Sequence, residues 1–133
     1  MALFLFTKAI LEDKPIKVFN QGQMKRDFTY VDDIVDGIMT SLNKVSALGY
    51  EVFNLGCANP VNLLDFIKTI EKSLGKRAKK EFLPLQPGDV PATFADVSKA
   101  KKLLGYQPKV KVEEGVRKFV NWYRQYYQGG KGR

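Results

Sequence analysis

The sequence of 133 residues contains no histidine and only one cysteine, Cys57. Without histidine the chain cannot carry out a mechanism that depends on a histidine base. A zinc site built from cysteine and histidine is excluded for the same reason. A single cysteine also excludes a disulfide within the chain. We therefore expect no metal-binding residues.

The chain also lacks a long apolar run. The N-terminal stretch Ala2–Phe6 is far shorter than the roughly 20 residues that a membrane-spanning helix needs. A secretory signal would require a basic start, a longer apolar segment and a small-residue cleavage site, and none of these is present. We expect no membrane partner and, by default, a cytoplasmic location.

Two sequence fingerprints of nucleotide enzymes are missing. No glycine-rich turn of the G-x-G-x-x-G type follows a strand, and there is no G-x-x-x-x-G-K-[ST] loop for phosphates. A tyrosine base activated by a lysine four residues later is not expected either, because Ile34 follows Tyr30 at that offset and Asn54 follows Tyr50. We therefore expect neither catalytic nor cofactor-binding residues in this chain.

The charge is basic overall and unevenly distributed. The net charge is +8, with 44% hydrophobic and 27% charged residues, which is typical of a soluble globular protein. Residues 1–75 carry 8 lysines and arginines against 9 acidic residues, whereas residues 76–133 carry 14 against 5. Such an excess is consistent with a solvated basic face or with a phosphate-bearing small ligand. Nucleic acid is disfavoured, because no basic run is interleaved with stacking aromatics.

The hydrophobic periodicity predicts an α/β fold with about five helices and short strands between them. The predicted helices cover 2–12, 33–43, 62–74, 98–105 and the region from 112, and the predicted strands cover 16–19, 28–31, 50–55 and 79–85. Short strands separated by helices usually join a larger parallel sheet, so the chain resembles the end of a longer protein. We predict one domain over residues 1–127 and a polar, glycine-rich, flexible tail over 128–133.

The segment from Lys25 to Asp33 contains the first candidate ligand-binding residue, Arg26. The planar guanidinium offers several donors in a fixed geometry, which suits a diphosphate. The alternative is a surface arginine that pairs with Asp27 or Asp33.

The segment from Gln86 to Pro91 contains the second candidate, Asp89. Two prolines and Gly88 give a rigid loop from which the carboxylate projects, and a carboxylate can accept hydrogen bonds from both hydroxyls of a ribose. The alternative is an aspartate that only caps a turn.

These segments stand in a recognisable order and spacing. Five motifs carry the pattern, and each alone is of modest specificity: Val18-Phe19-Asn20 with Gly22, Arg26 to Asp33, Phe53-Asn54-Leu55-Gly56, Pro87 to Pro91, and Ala95-Asp96 with Lys99-Ala100. Together they resemble the extended short-chain dehydrogenase/reductase family, and within it most closely the UDP-glucuronate 4-epimerases and related nucleotide-sugar epimerases. The resemblance extends from Met1 to about Tyr127.

The resemblance implies that the chain corresponds to the C-terminal, substrate-binding part of an NAD(P)-binding, Rossmann-type extended reductase. Full-length members run to more than twice this length, and the missing N-terminal half holds the NAD site and the catalytic tyrosine and lysine. By the resemblance, the backbone at Lys17 and Phe19 contacts the uracil edge, Arg26 holds the diphosphate and Asp89 the ribose hydroxyls. Asp33 corresponds to a position that caps the following helix.

One residue departs from the wider family pattern. The galactose epimerases have an arginine where this chain has Gln86, whose amide can still donate to a phosphate oxygen but without charge. The resemblance therefore favours the uronate type of enzyme over the galactose type, with Gln86 as a fifth substrate-binding residue.

The resemblance further implies inversion at C4 of a UDP-sugar in the full-length enzyme, with hydride passing to bound NAD and back. This chain alone would bind the UDP-sugar weakly, contribute only positioning, lack activity and bind no NAD. One alternative is a UDP-sugar decarboxylase or a dehydratase on the same scaffold. Another is a non-catalytic module that binds nucleotide-sugars or interacts with other proteins.

Self-association is a further expectation. An apolar strand at 50–55 without its sheet would present an unpaired edge, and the helix faces around Phe4, Phe6, Ile38 and Leu42 would lose their cover. We expect a homo-oligomer whose interface includes residues 50–55 or the first helix.

Overall fold

The computed structural model describes residues 2–127 and residue 129. These residues form two compact units. The described residues of the first unit are 2–24, 62–91, 113–127 and 129, and those of the second unit are 25–61 and 92–112. The chain therefore leaves and re-enters each unit.

The first unit contains three helices and a pair of parallel strands. Its helices are α1 (Ala2–Leu11), α4 (Leu63–Leu74) and α6 (Val112–Tyr127), and α6 belongs to this unit from Glu113 onwards. Its strands are β1 (Ile16–Val18) and β4 (Lys80–Phe82). The two strands run parallel, with Lys17 opposite Glu81. A 3₁₀ turn, Phe19–Gly22, follows β1 directly.

Helix α4 supplies much of the core of this unit. Five apolar side chains at helical spacing are buried along one face: Leu63, Phe66, Ile67, Ile70 and Leu74. They share the core with α1, β1 and α6 through Ile10, Ile16, Val18, Val116, Val120 and Tyr123. Gly75 ends α4 in the left-handed conformation, with φ of 68°, which glycine adopts without steric cost. The helix predicted over 62–74 is confirmed, and it begins one residue later, at Leu63.

The second unit is built on α2 (Val31–Asn43), α3 (Val45–Leu48) and α5 (Ser98–Leu104). Strand β2 (Lys25–Arg26) pairs with β3 (Val61–Asn62), of which Val61 belongs to this unit, and Lys25 forms a single parallel bridge with Ala92. The core comprises Val97, Ala100, Leu104 and Tyr106, with Phe53 and Leu55 packed on it.

Gly37 allows α2 to pack closely in this unit. A β-carbon added at Gly37 would lie 2.7 Å from a methyl group of Leu55 and 3.1 Å from the ring of Tyr106. Any larger residue would separate α2 from the segment that carries Leu55, so this contact requires glycine.

Two predicted strands are wrong. The extended piece at 28–31 is not a strand, since the strand lies earlier, at Lys25–Arg26, and α2 already begins at Val31. Residues 50–55 form no strand in the described part of the chain. A strand requires a neighbouring backbone to pair with, and this segment is held instead by side chains, such as Leu55 against Gly37 and the Asn54 amide, which donates to the Asp96 carbonyl at 3.2 Å.

The predicted helices are confirmed with small shifts of their ends, and the short helix α3, Val45–Leu48, is an element that the sequence did not predict. The tail predicted over 128–133 lies outside the described residues, except for Gly129, whose amide donates to the Arg124 carbonyl at 2.9 Å. Among the helices of the described residues, none has the length and apolar character needed to cross a lipid bilayer.

Candidate functional site

The first unit brings two predicted segments together at the carboxyl ends of β1 and β4. The Leu83 amide donates to the Val18 carbonyl at 2.9 Å, and the Gln21 amide donates back to the Leu83 carbonyl at 3.2 Å. Because the strands are parallel, the turn after β1 and the loop after β4 leave the same edge of the pair. Ligands of open α/β sheets bind at this kind of edge.

The turn after β1 has an unusual backbone. Asn20 and Gln21 adopt φ of 50° and 51°, and Gly22 follows with φ of 80°. The Asn20 side-chain amide donates to the Gln23 carbonyl, and the Gln23 amide donates to the Asn20 carbonyl, both at 2.8 Å. Two consecutive non-glycine residues in the left-handed region are strained, and such strain is concentrated at binding and catalytic sites.

Gly22 anchors this strained turn on the core. Its exposed fraction is small, and a β-carbon there would lie 2.7 Å from the side chain of Leu64 on α4. The turn therefore rests directly on α4, which holds the backbone of half-buried Phe19 in a defined position. Lys17, in the middle of β1, is exposed.

The loop after β4 contains a tight turn from Gln86 to Asp89. The Asp89 amide donates to the Gln86 carbonyl at 3.1 Å, and Gly88 has φ of 83°. Proline at the second position and a left-handed glycine at the third are the signature of a type II turn. The turn places exposed Gln86 and half-buried Asp89 at its two ends.

Asp89 has a local role in this turn. Its Oδ1 accepts a hydrogen bond from the Val90 amide at 2.9 Å. The turn-capping role that the sequence left open is therefore present, and binding of a ribose stays a prediction.

Arg26 lies in the second unit, whereas Lys17, Phe19, Gln86 and Asp89 all lie in the first. It occupies β2, is half-buried, and its Nη1 donates to the Lys25 carbonyl at 2.9 Å. A short strand thus holds the base of the arginine side chain, and its contact with a diphosphate stays a prediction.

Asp27, next to Arg26, organises the second unit. Its Oδ2 accepts hydrogen bonds from the amides of Ala58 at 3.0 Å and Ala95 at 3.1 Å, and its Oδ1 accepts one from Asn59 at 3.4 Å. Its own amide donates to Thr93 Oγ1 at 3.2 Å. From the sequence, Asp27 was considered only as an ion-pair partner for Arg26. Its contacts with residues 58 and 95 are far apart in the chain, so no sequence pattern predicts them.

Asp33 is structural, but the expected helix cap is wrong. Its side chain is buried, with an exposed fraction of 3%, and its carboxylate accepts hydrogen bonds from the amides of Lys109 at 2.8 Å and Val110 at 3.1 Å. The residue preceding α2 is Tyr30, which forms no side-chain cap. Asp33 lies inside the first turn of the helix, and its carboxylate binds the amides of Lys109 and Val110 rather than an amide at the start of the helix.

Two other ionisable groups of this unit, Cys57 and Tyr106, have raised pKa values. Burial raises the pKa of the Cys57 thiol, and the charges of Asp27 and Asp33 raise it further. Burial also raises the pKa of Tyr106 to about 12, with smaller contributions from nearby acids. The Tyr106 hydroxyl donates to the Gly56 carbonyl at 3.2 Å. Neither group provides an ionised nucleophile or base at neutral pH.

The expectation that no tyrosine precedes a lysine by four residues is wrong as a statement about the sequence. Tyr127 and Lys131 have this spacing. Tyr127 is the last residue of α6, and Lys131 lies outside the described residues, so no continuous described helix presents the two side chains on one face. Within the described part of the chain, no group of three or more acidic, cysteine or histidine side chains could hold a metal ion.

Comparison with known proteins identifies the family. The profile of the family described as GDP-mannose 4,6 dehydratase matches residues 3–119. The chain belongs to this family, which is of the extended short-chain dehydrogenase/reductase type. The resemblance read from the five motifs is confirmed.

Three proteins to which this chain is similar show the extent of the match. An uncharacterised protein of Methanocaldococcus jannaschii is 56% identical over 92% of this chain and 37% of its own length. A UDP-glucuronate 4-epimerase of Thermodesulfobacterium geofontis is 47% identical over 94% of this chain and 38% of its own. The crystal structure of UDP-glucuronic acid 4-epimerase from Bacillus cereus with UDP-glucuronic acid and NAD superposes with a TM-score of 0.89, at 39% identity, over 96% of this chain and 40% of that chain.

The chain thus spans about two fifths of the length of these relatives. The predicted class, a part of an α/β Rossmann-type extended reductase, is confirmed by the structural match.

Proposed function

We propose that this chain is the nucleotide-sugar-binding portion of an NAD-dependent UDP-sugar 4-epimerase of the UDP-glucuronate type. The observation that carries the proposal is the edge formed by β1 and β4, where the strained turn after β1 is hydrogen-bonded to Leu83 and the chain after β4 continues to the Gln86–Asp89 turn. Relatives that match nearly the whole of this chain include UDP-glucuronate 4-epimerases.

Each residue predicted to bind the substrate has a chemical group that suits its proposed role. The backbone at Lys17 and Phe19 offers the donors and acceptors of an extended strand end to the uracil edge. Asp89 offers a carboxylate to the ribose hydroxyls, and Gln86 an uncharged amide donor to a phosphate oxygen. Arg26 holds the diphosphate through its guanidinium. Groups that hold the UDP part of a substrate position its sugar.

The residues of this chain do not suit an NAD site. No strand of the described chain leads through a glycine-rich turn into a helix, which is how dinucleotide phosphates are cradled. NAD would supply the hydride chemistry of a 4-epimerase, and we assign none of its contacts to this chain. The reaction therefore needs groups beyond the residues of this chain, and the chain by itself is inactive.

The uronate assignment is favoured over a dehydratase. The family profile carries the name of a dehydratase, but epimerases named for UDP-glucuronate match at 41–47% identity over more than nine tenths of this chain. Gln86 agrees with this assignment, since the galactose type resembles this loop less.

Calorimetric titration with UDP tests the proposal. Two or three charge-assisted contacts, less the cost of association, give a dissociation constant of about 1 mM, equivalent to about −4 kcal/mol. Arg26→Ala weakens binding about tenfold or more, because it removes a charged donor from the diphosphate.

The control is Lys25→Ala, which removes an adjacent, exposed positive charge and leaves UDP affinity within about twofold. Equal affinity of wild type and Arg26→Ala would remove Arg26 from the site. Conversion of UDP-glucuronate to UDP-galacturonate by the pure chain with added NAD would contradict the inactivity of the chain.

A further inference from the structure

The backbone on both sides of Arg26 is attached to a neighbouring segment of the same unit. The Lys25 carbonyl, just before Arg26, accepts a hydrogen bond from the Thr93 amide at 3.2 Å. The Asp27 amide, just after Arg26, donates to Thr93 Oγ1 at 3.2 Å. Lys25 also forms the parallel bridge with Ala92. Thr93 therefore holds the chain immediately before and immediately after Arg26.

The carboxylate of Asp27 extends this attachment to a second segment. Its Oδ2 accepts hydrogen bonds from the amides of Ala95 and Ala58, and its Oδ1 accepts one from the amide of Asn59. A carboxylate has two acceptor oxygens and no donor, so it suits a position that faces several amides. The Asp27 side chain thus joins two segments, distant in sequence, to the residue next to Arg26.

The surrounding backbone is shaped around this carboxylate. Gly56 is buried, and a β-carbon there would lie 2.5 Å from that of Ala95 and 3.1 Å from Asp27 Oδ2. Ala58, whose amide donates to the same oxygen, has φ of 53°. A non-glycine residue keeps such a conformation only where its surroundings hold it, and strain of this kind is concentrated at functional sites. The unit therefore keeps the Asp27 carboxylate in one place even though this strains Ala58.

We propose that Asp27 is a positioning residue for Arg26, an inference that rests on the proposed binding of a diphosphate by Arg26. In this role Asp27 does not contact the substrate. Its carboxylate fixes the end of β2, so the guanidinium of Arg26 reaches the phosphates from a defined backbone position. Paired hydrogen bonds from a guanidinium depend on geometry. A side chain that starts from a fixed backbone also loses less conformational freedom when the ligand binds.

The sign of the effect on binding separates positioning from a simple effect of charge. As a charge alone, the Asp27 carboxylate would repel a diphosphate held by the neighbouring arginine. Asp27→Asn removes this charge and keeps the shape of the side chain, so a purely electrostatic role predicts stronger UDP binding. The positioning role predicts weaker binding, because the new side chain has one acceptor oxygen and its NH₂ group faces backbone donors.

Titrations of the pure chain with UDP and with uridine, followed by NMR, test the inference. We expect Asp27→Asn to weaken UDP binding about three- to tenfold and to leave uridine affinity within about twofold, because uridine has no diphosphate. The matched control is Asp33→Asn, since the Asp33 carboxylate also accepts two backbone amides of the second unit. This control lowers stability and leaves the ratio of UDP to uridine affinity within about twofold, because Asp33 is not adjacent to Arg26.

Thr93→Val is a milder change that leaves the Asp27 carboxylate intact. It keeps the branched shape of the side chain and removes the oxygen that accepts from the Asp27 amide. We expect UDP binding about two- to threefold weaker, with uridine affinity unchanged. In an Arg26→Ala background, neither Asp27→Asn nor Thr93→Val changes UDP affinity further, because no guanidinium remains to be positioned.

The outcomes separate this inference from the proposed function. If Arg26→Ala weakens UDP binding while Asp27→Asn and Thr93→Val leave it unchanged or strengthen it, Asp27 does not position Arg26, and the proposed function stands. Equal weakening of UDP and uridine binding by Asp27→Asn would reduce its role to stability and would also overturn the inference. If Arg26→Ala itself leaves UDP affinity unchanged, the proposed diphosphate contact fails and the positioning role fails with it.

Discussion

The carboxylate of Asp33 accepts a hydrogen bond of 2.8 Å from the backbone amide of Lys109, 76 residues further along the chain. The neighbouring amide of Val110 donates to the other carboxylate oxygen. An acidic residue inside a helix thereby ties α2 to the extended segment that precedes α6. This long-range tie stabilises the second unit and provides the first prediction.

Asp33→Ala lowers the free energy of unfolding by about 2–4 kcal/mol, because two backbone donors lose their acceptor in a buried position. Urea denaturation measures the loss. The matched control is Asp36→Ala, one turn further along α2, where the side chain is exposed and the Lys109 ammonium is 4.0 Å away. That variant changes stability by less than about 0.5 kcal/mol. Equal losses in the two variants would contradict the role given to Asp33.

Gly88→Ala weakens UDP binding by distorting the turn that presents Asp89. No atom lies within 4 Å of the added β-carbon, so the change acts only through the backbone strain of a positive φ. We expect a stability loss of about 1–2 kcal/mol together with several-fold weaker binding in calorimetry.

Gly75→Ala is the matched control for Gly88→Ala. It introduces similar strain, at φ of 68° and in open space, at the end of α4 rather than in the loop. It lowers stability by a similar amount and leaves UDP affinity unchanged. If both variants weaken UDP binding equally, the loop is not part of the site.

Gln86→Arg strengthens UDP binding several-fold, since an uncharged donor to a phosphate oxygen becomes a charged one. The gain decreases as salt is added, because the new interaction is electrostatic and exposed. Gln107→Arg, at an exposed position of the second unit, adds the same net charge and serves as the control. An equal gain in both variants would assign the effect to net charge rather than to this loop.

The Glu71–Lys80 contact makes the first unit sensitive to acid. Burial alone would raise the pKa of the Glu71 carboxyl, but hydrogen bonds from Lys80 and from the Ala78 amide, together with the charges of Lys80 and Arg77, hold that pKa below its usual value of 4.5. A carboxyl with a lowered pKa in the folded state contributes stability above 4.5, and this contribution is lost as the pH falls below that value.

Denaturation measured between neutral and acidic pH tests this contact. Wild type loses more stability than Glu71→Gln on acidification below the usual pKa of a glutamate, since the variant has no carboxyl to protonate. Asp65→Asn is the control: Asp65 bonds to Lys68 in an exposed ion pair, which solvent screens. Identical acid sensitivity of wild type and Glu71→Gln would contradict the assignment.

The helices and the tight turns could be predicted from the sequence, because the residues that specify each of them are close together in the chain. The apolar spacing of α4 and the glycine that ends it lie within a few residues of one another. The turn from Gln86 to Asp89 needs only Pro87 and Gly88 to set its backbone. The order of five motifs likewise carried the family resemblance, since spacing along the chain is a property of the sequence.

Only the tertiary structure decided what depends on residues far apart in the chain. It assigned Asp27 to the amides of residues 58, 59 and 95, and Asp33 to those of residues 109 and 110. It removed the strand predicted at 50–55, because β-propensity produces a strand only where another backbone is in place to pair with it. It also showed that the apolar side chains Val31, Val35, Ile38, Met39 and Leu42 of α2 are exposed, since the sequence pattern shows that a helix face is apolar, but only packing decides whether that face is covered.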